Sequence, residues 1–210
     1  GDVNITTGRG IFSTEKRHTD YLPVLSGGSI NLWDDVYGEP FGWAGADMSS
    51  HLFEKATAGV TNKASAYYQQ RVETIADLAM AKPRIVIRQI ASATNSRTCI
   101  ATLIPGDRVV ASGLHYLHKR RGTVGDEAYL LGILTSIPFD WYVRNWVELN
   151  LTFELLYPCP IPRPATDNRL RQRLIEIVGR RVSRNLGLVH WAKQAGVSAA
   201  PTSDEEDFAT

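Results

Sequence analysis

The most legible pattern of polar and apolar positions lies at Arg84-Ile85-Val86-Ile87-Arg88-Gln89-Ile90, where charged side chains bracket a β-branched run. That alternation predicts a strand. Ser92-Ala93-Thr94-Asn95-Ser96 is a polar break of turn-forming residues, and Arg97–Ile104 resumes the strand pattern until Pro105-Gly106 stops it. The two runs predict a hairpin. Arg84 and Arg88 fall on one face with Val86 between them, which leaves Ile85, Ile87 and Gln89 to pack on the core. A third strand is predicted near Arg108–Tyr116, followed by the exposed run Lys119-Arg120-Arg121-Gly122.

Elsewhere the period is helical or absent. Residues 1–25 read as loop with one short strand, and 29–45 mix aromatics with Gly and Pro as short strands and turns do. Residues 64–80 contain no Gly or Pro and place Tyr68, Val72, Ile75 and Ala79 at helical spacing, predicting a helix that ends before Pro83. A second helical stretch is predicted over 127–149, with Asp126 and Glu127 at its start and Pro138 either kinking it or opening a separate helix. A third is predicted over 168–193, with Thr166-Asp167-Asn168 as its cap. Phe139, Trp141 and Trp146, at helical spacing, are assigned to the core, with base-stacking platforms as the alternative. The alternate prolines from Pro158 to Pro164 predict a stiff extended segment. The sum is an α+β fold, a twisted and mostly antiparallel sheet with flanking helices. Its expected organisation is a main unit over 1–164, a helical segment over 165–197 and a disordered tail over 198–210.

Charge changes this picture more than composition does. The net charge over 210 residues is only +1, but residues 80–125 carry eight Lys/Arg against Asp107 alone, while 1–79 and 198–210 are acidic. A basic middle suits an anionic partner, nucleic acid being the commonest. The alternative is that these cations alternate around a sheet and never share a face. Cys99 and Cys159, sixty residues apart, form neither a disulfide framework nor a zinc spacing, and a reduced, cytoplasmic setting is expected. No apolar window is long enough for a transmembrane helix, so no membrane partner is expected. Glycine-rich phosphate loops, GxSxG, HExxH and CxxC are absent; His115 and His118 read as ordinary strand histidines and Asp34-Asp35 as a turn.

Three stretches carry a resemblance. Arg88–Pro105 is similar to a hairpin of the form R-x-I-A-x-x-T-N/D-x-R-T-x-I-A. Tyr129–Arg144, with Leu130-Leu131-Gly132 and Phe139-Asp140-Trp141, resembles an LLG…FDWxxR helix, and Trp191-Ala192-Lys193-Gln194-Ala195-Gly196-Val197 resembles a closing W-A-x-x-x-G-V. In this order they resemble the carboxy-terminal part of large adenine-specific DNA methylases of restriction–modification and phage-defence systems, including fused restriction–methylation enzymes. The resemblance implies a bacterial, TaqI-methylase-like target-recognition (specificity) domain that holds double-stranded DNA for an upstream methylase domain of the same polypeptide. The adenine-methylase signature N-P-P-Y/F and any S-adenosylmethionine loop are absent from these residues. The fragment itself is therefore expected to be non-catalytic and to hold no cofactor, with S-adenosylmethionine bound by the parent enzyme, and both ends are expected to be truncations.

The residues expected at DNA are Thr94, Asn95, Ser96 and Arg97 in the hairpin loop, Lys119, Arg120 and Arg121 in the basic turn, and Arg84, Arg88 and Arg144. Arg88, Arg97 and Thr98 have a competing role, pairing with carboxylates such as Asp140 or Glu148 to hold the fold. A rival to DNA reading is a protein–protein module that docks onto the methylase core without touching DNA; a free-standing nuclease is a weaker third.

Overall fold

The structure is a computed structural model that describes residues 1–6, 11–16, 18–45 and 47–197. It is α+β, with two small antiparallel-rich sheets and six helices among the described residues. The expected tail over 198–210 lies outside the described residues.

The first sheet has the order β1 (Phe12–Ser13), β3 (Gly42–Ala44), β2 (Leu22–Leu25), β6 (Val109–Val110), with β2 and β6 parallel and the other pairs antiparallel. The second has the order β5 (Ala101–Ile104), β4 (Arg84–Arg88), β7 (Leu114–Tyr116), all antiparallel. The predicted third strand thus divides between two sheets. Its break is at Gly113, whose φ of +99° is open to glycine and strained for other residues, and there Leu114 N–H closes a turn onto the Ala111 carbonyl at 3.2 Å.

Three apolar clusters stack through the molecule. Helix α1 (Asp47–Gly59) lays Met48, Leu52 and Ala56 against Val24, Ala44 and Val109 of the first sheet. Leu25, Val86, Ile104, Val110 and Leu114 fill the space between the sheets. Ile85, Ile87, Ala101 and Leu103 face the other way, onto α2 (Val124–Leu134), α3 (Ile137–Arg144), α5 (Arg169–Val182) and α6 (Val189–Gln194). A single turn, α4 (Phe153–Leu156), lies between α3 and α5. Strand β4 is consequently covered on both sides, which is why its sequence is an almost unbroken apolar run.

The predicted hairpin forms, with Arg84 opposite Ile104 and Ile87 opposite Ala101. Its connection is longer than the five-residue polar break. The backbone N–H groups of Thr98 and Cys99 leave the ladder for the carboxylate of Asp140, so regular pairing resumes only at Ala101.

Two helix predictions are corrected. Residues 64–80 are a chain of turns and short 3-10 segments. Asn62 and Ser65 side chains accept the N–H groups of Ala64 (3.0 Å) and Tyr67 (3.1 Å), giving the backbone partners that a helix would otherwise supply. Of the four residues placed at helical spacing, Ala79 is buried and Val72 packs on the first-sheet core, but Ile75 is 46% exposed, and Tyr67 rather than Tyr68 reaches that core. The helix predicted over 168–193 begins at its Asn168 cap, which accepts Arg171 N–H at 3.1 Å. It is interrupted after Val182, where Asn185 accepts Gly187 N–H at 2.8 Å; the break turns α6 back so that Trp191 and Ala192 join the core of the second sheet. Pro138 opens α3 as a separate helix, capped by Ser136, whose hydroxyl accepts Phe139 N–H at 3.3 Å.

Candidate nucleic-acid interface

The residues expected at DNA occupy opposite ends of β4. Leu117 N–H bonds to the Ile85 carbonyl at 2.9 Å, so the basic turn 119–121 follows the Arg84 end; Arg88 N–H bonds to the Ile100 carbonyl at 2.9 Å, so the polar loop lies at the other end. Four residue steps at about 3.3 Å each put about 13 Å of strand between them.

At the loop end the organising group is Asp140, in the first turn of α3 and buried. Its Oδ1 accepts from Thr98 N–H and Cys99 N–H, each at 2.8 Å, and lies 3.4 Å from Arg97 Nε; its Oδ2 accepts from Arg144 Nη2 at 3.0 Å. Arg97 also donates to the carbonyls of Thr135 (2.5 Å) and Ser136 (3.2 Å), where α2 ends and a cation is favoured. Arg144 donates to the carbonyls of Ala93 (3.0 Å) and Ser96 (2.9 Å) from outside the loop. Inside it, Thr98 Oγ1 donates to the Ser92 carbonyl at 3.2 Å and Asn95 N–H to the same carbonyl at 3.1 Å. The loop is pinned at its base and along its flank. Thr94, Asn95 and Ser96 lie at the tip, where Asn95 and Ser96 stand exposed, and among the described residues the side chains of those two make no hydrogen bond.

Arg97 therefore takes the competing role allowed for it, pairing with Asp140. Arg144, expected at DNA, is instead the loop's second clamp, one turn along α3 from Asp140. Arg84 leaves the set that can reach a phosphate: it is 2% exposed, bonds to Asp2 at 2.6 Å and to the Arg108 carbonyl at 2.9 Å, and lies over the Tyr116 ring. Arg88 is half-buried and donates to the Ile30 carbonyl, with desolvation holding its pKa below the ordinary value.

Trp141 and Trp146 are a further correction. They are 68% and 63% exposed, whereas Phe139, Val143 and Val147 of the same stretch are buried. On a helix of 3.6 residues per turn Trp141 lies about 200° from Phe139, so the face that buries Phe139 and Val143 turns Trp141 outward, alongside exposed Ile137. The indoles flank the elements that hold the polar loop.

At the other end Lys119 pairs with Glu127 at 3.1 Å, a buried carboxylate that also accepts from Trp191 Nε1 at 2.9 Å. Arg120 donates to the Tyr68 carbonyl, and Arg121 makes no ion pair or hydrogen bond among the described residues. Lys55 and Lys63, from α1 and the turn after it, line a cleft that also takes in Arg120, and among the described residues neither has a carboxylate within ion-pair distance. Sequence reading misses both because they sit in the acidic first third of the chain; the signal that points to α1 is the Met48, Leu52, Ala56 spacing. The His115 ring packs at a tilt against Phe153 and that of His118 against Tyr67, and burial lowers the pKa of both histidines. Among the described residues no group of His, Cys, Asp and Glu is placed to hold a metal, and no helix is long and apolar enough to cross a membrane. Neither the protein-family models nor the curated proteins include a match to this chain.

Proposed function

We propose that this chain is the DNA sequence-recognition domain of an adenine-N6 methylase of a bacterial restriction–modification or phage-defence system, with the TaqI-methylase-like fold of such specificity domains. Its partners are double-stranded DNA and an upstream methylase domain of the same polypeptide, which binds S-adenosylmethionine and performs the transfer. The observation that carries this reading is the pinned loop. Asp140, Arg97 and Arg144 fix its backbone while the side chains of Asn95 and Ser96, with donors and acceptors unengaged among the described residues, stand clear at its tip. Base edges are read by side chains of that chemistry held on a rigid support. At the far end Arg120 and Arg121, which have no carboxylate partner among the described residues, supply phosphate contacts.

A second reading is favoured by Trp141 and Ile137, which expose apolar surface on one face of α3: this end docks onto a protein partner. Salt separates the two. In a duplex titration the observed affinity falls with rising salt, and replacing Arg120 and Arg121 by Gln reduces the log–log slope by up to ~2, at about 0.9 for each phosphate no longer neutralised. Asn95→Ala with Ser96→Ala leaves that slope unchanged and lowers discrimination between duplex sequences. Duplex binding indifferent to salt and to Arg120 and Arg121 overturns the DNA reading.

A further inference from the structure

A cavity of about 860 Å³ opens beside the basic turn. It has the dimensions of a small-molecule site. Its walls come from α1, the 62–67 turns, the residues after β7, and the α4 turn, and its floor is apolar, with Leu52, Met80 and Leu130.

Two properties define what it takes. The first is charge. Lys55, Lys63 and Arg120 stand around it, and the one carboxylate in its lining, Asp2, is already neutralised by Arg84 at 2.6 Å and accepts from Val110 N–H at 2.8 Å. Lys55 donates to the Asp2 carbonyl, and Arg120 donates to the Tyr68 carbonyl and, through Nε and Nη2, to the Gln70 side-chain oxygen; both groups keep further donors. The second is planarity. Tyr157 is 79% exposed and lies nearly parallel to Phe153, with ring centroids 5.5 Å apart and planes 14° apart, so its ring is already oriented. Tyr67 and His118 pair on the opposite wall at 5.2 Å. A bare anion would be served by cations alone; here the cations are spread around aromatic faces and an apolar floor, which suits a ligand that is both planar and anionic.

We propose that this cleft binds a nucleoside phosphate, its base against the Tyr157 face and its phosphate held by Lys63 and Arg120. The assignment deepens the DNA-recognition reading, since the nucleotide is either free or an unpaired unit of a strand, but a mononucleotide tests it without any duplex. The experiment is a calorimetric titration of the full chain with adenosine 5′-monophosphate, and with adenosine and inorganic phosphate separately. Saturable binding of the nucleotide is expected, with the two halves each at least about tenfold weaker. Lys63→Ala and Tyr157→Ala alter exposed side chains, leave the circular dichroism unchanged, and each weaken nucleotide binding about tenfold through loss of a charge-assisted bond or of stacking. Displacement by a short single-stranded oligonucleotide at lower concentration than by free nucleotide identifies a strand as the source; the reverse order identifies a free nucleotide. No saturation up to about 1 mM, or saturable binding that neither variant weakens, overturns the assignment. If that happens while duplex binding still falls with Arg120→Gln and Arg121→Gln, the cleft assignment fails and the recognition reading stands; nucleotide binding without salt-dependent duplex binding does the converse.

Discussion

Removing the Asp140 carboxylate probes the anchoring of the polar loop most directly. In Asp140→Ala, the buried N–H groups of Thr98 and Cys99 each lose their acceptor at 2.8 Å. An orphaned buried donor costs about 1–3 kcal/mol, so the pair costs about 2–6 kcal/mol. Arg97 and Arg144 also lose their counter-ion, but their side chains are 22% and 32% exposed. Water replaces much of what they lose, and their share is about 1 kcal/mol or less. Asp140→Ala is therefore expected to destabilise the protein by ~3–5 kcal/mol. Asp140→Asn keeps an oxygen for the two N–H groups and turns an NH₂ toward Arg144, a donor facing a donor, and is expected to cost ~1–2 kcal/mol. Urea unfolding followed by tryptophan fluorescence measures both. Amide hydrogen exchange places the effect: Thr98 and Cys99 should lose protection in Asp140→Ala while the amides of β2 and α1 keep theirs. If Asp140→Ala costs less than ~1 kcal/mol, or the alanine and asparagine variants are equal, the carboxylate is not what holds the loop.

Other consequences follow from buried charge, close packing and protonation. Arg84→Met strands the Asp2 carboxylate, 4% exposed, and should cost ~3–5 kcal/mol in urea unfolding, much of which Arg84→Met with Asp2→Asn restores. Gly132→Ala brings a methyl to 2.7 Å from Leu174 where α2 crosses α5, and overpacking of that kind should lower stability by ~1–3 kcal/mol in the same assay. Burial holds the folded pKa values of His115 and His118 below the ordinary 6.5, so the unfolded chain takes up their protons first. Stability should fall as pH drops from about 7 through the unfolded value toward the lower folded values, and Gln at both positions should flatten the slope of unfolding free energy against pH. Burial pushes the Cys99 thiol up to about 12, so a thiol reagent at about pH 8 should leave it unmodified until the protein unfolds.

The central hairpin is legible in the sequence because β4 and β5 are neighbours in the chain, and their pairing needs only local turn chemistry and alternation. The α+β class and the Asn168 cap are legible for the same reason, while Pro138 marks a break that local pattern leaves open between a kink and the separate helix that forms. The misreadings come from partners that the local pattern does not show. Tyr68, Val72, Ile75 and Ala79 satisfy a helical period, but Asn62 and Ser65 take over the backbone bonds and turn the segment aside. Trp141 reads as core because Phe139, Trp141 and Trp146 are taken together as one helical spacing, although the positions of Phe139 and Val143 already assign the buried face of α3 and leave Trp141 on the other. That Arg144 reaches Ala93 and Ser96 across about fifty residues has no local signature at all.

Charge shows the same limit and extends it to the surface. The excess of cations over 80–125 points to one basic face, yet Arg84, Arg97 and Lys119 are matched by Asp2, Asp140 and Glu127, carboxylates that lie outside that window. Those three pairs draw on buried carboxylates and contribute little to the external field. The cations left over at this end are Arg120, which lines the cleft, and its chain neighbour Arg121 from the basic window, joined at the cleft by Lys55 and Lys63 from a segment whose own net charge is negative. Segment counting thus identifies that a basic surface exists and misplaces half of its members. The folded chain gathers cations without carboxylate partners among the described residues at the Arg84 end of β4, and puts unengaged polar side chains and uncovered indoles at the other, two surfaces held apart by a strand only five residues long.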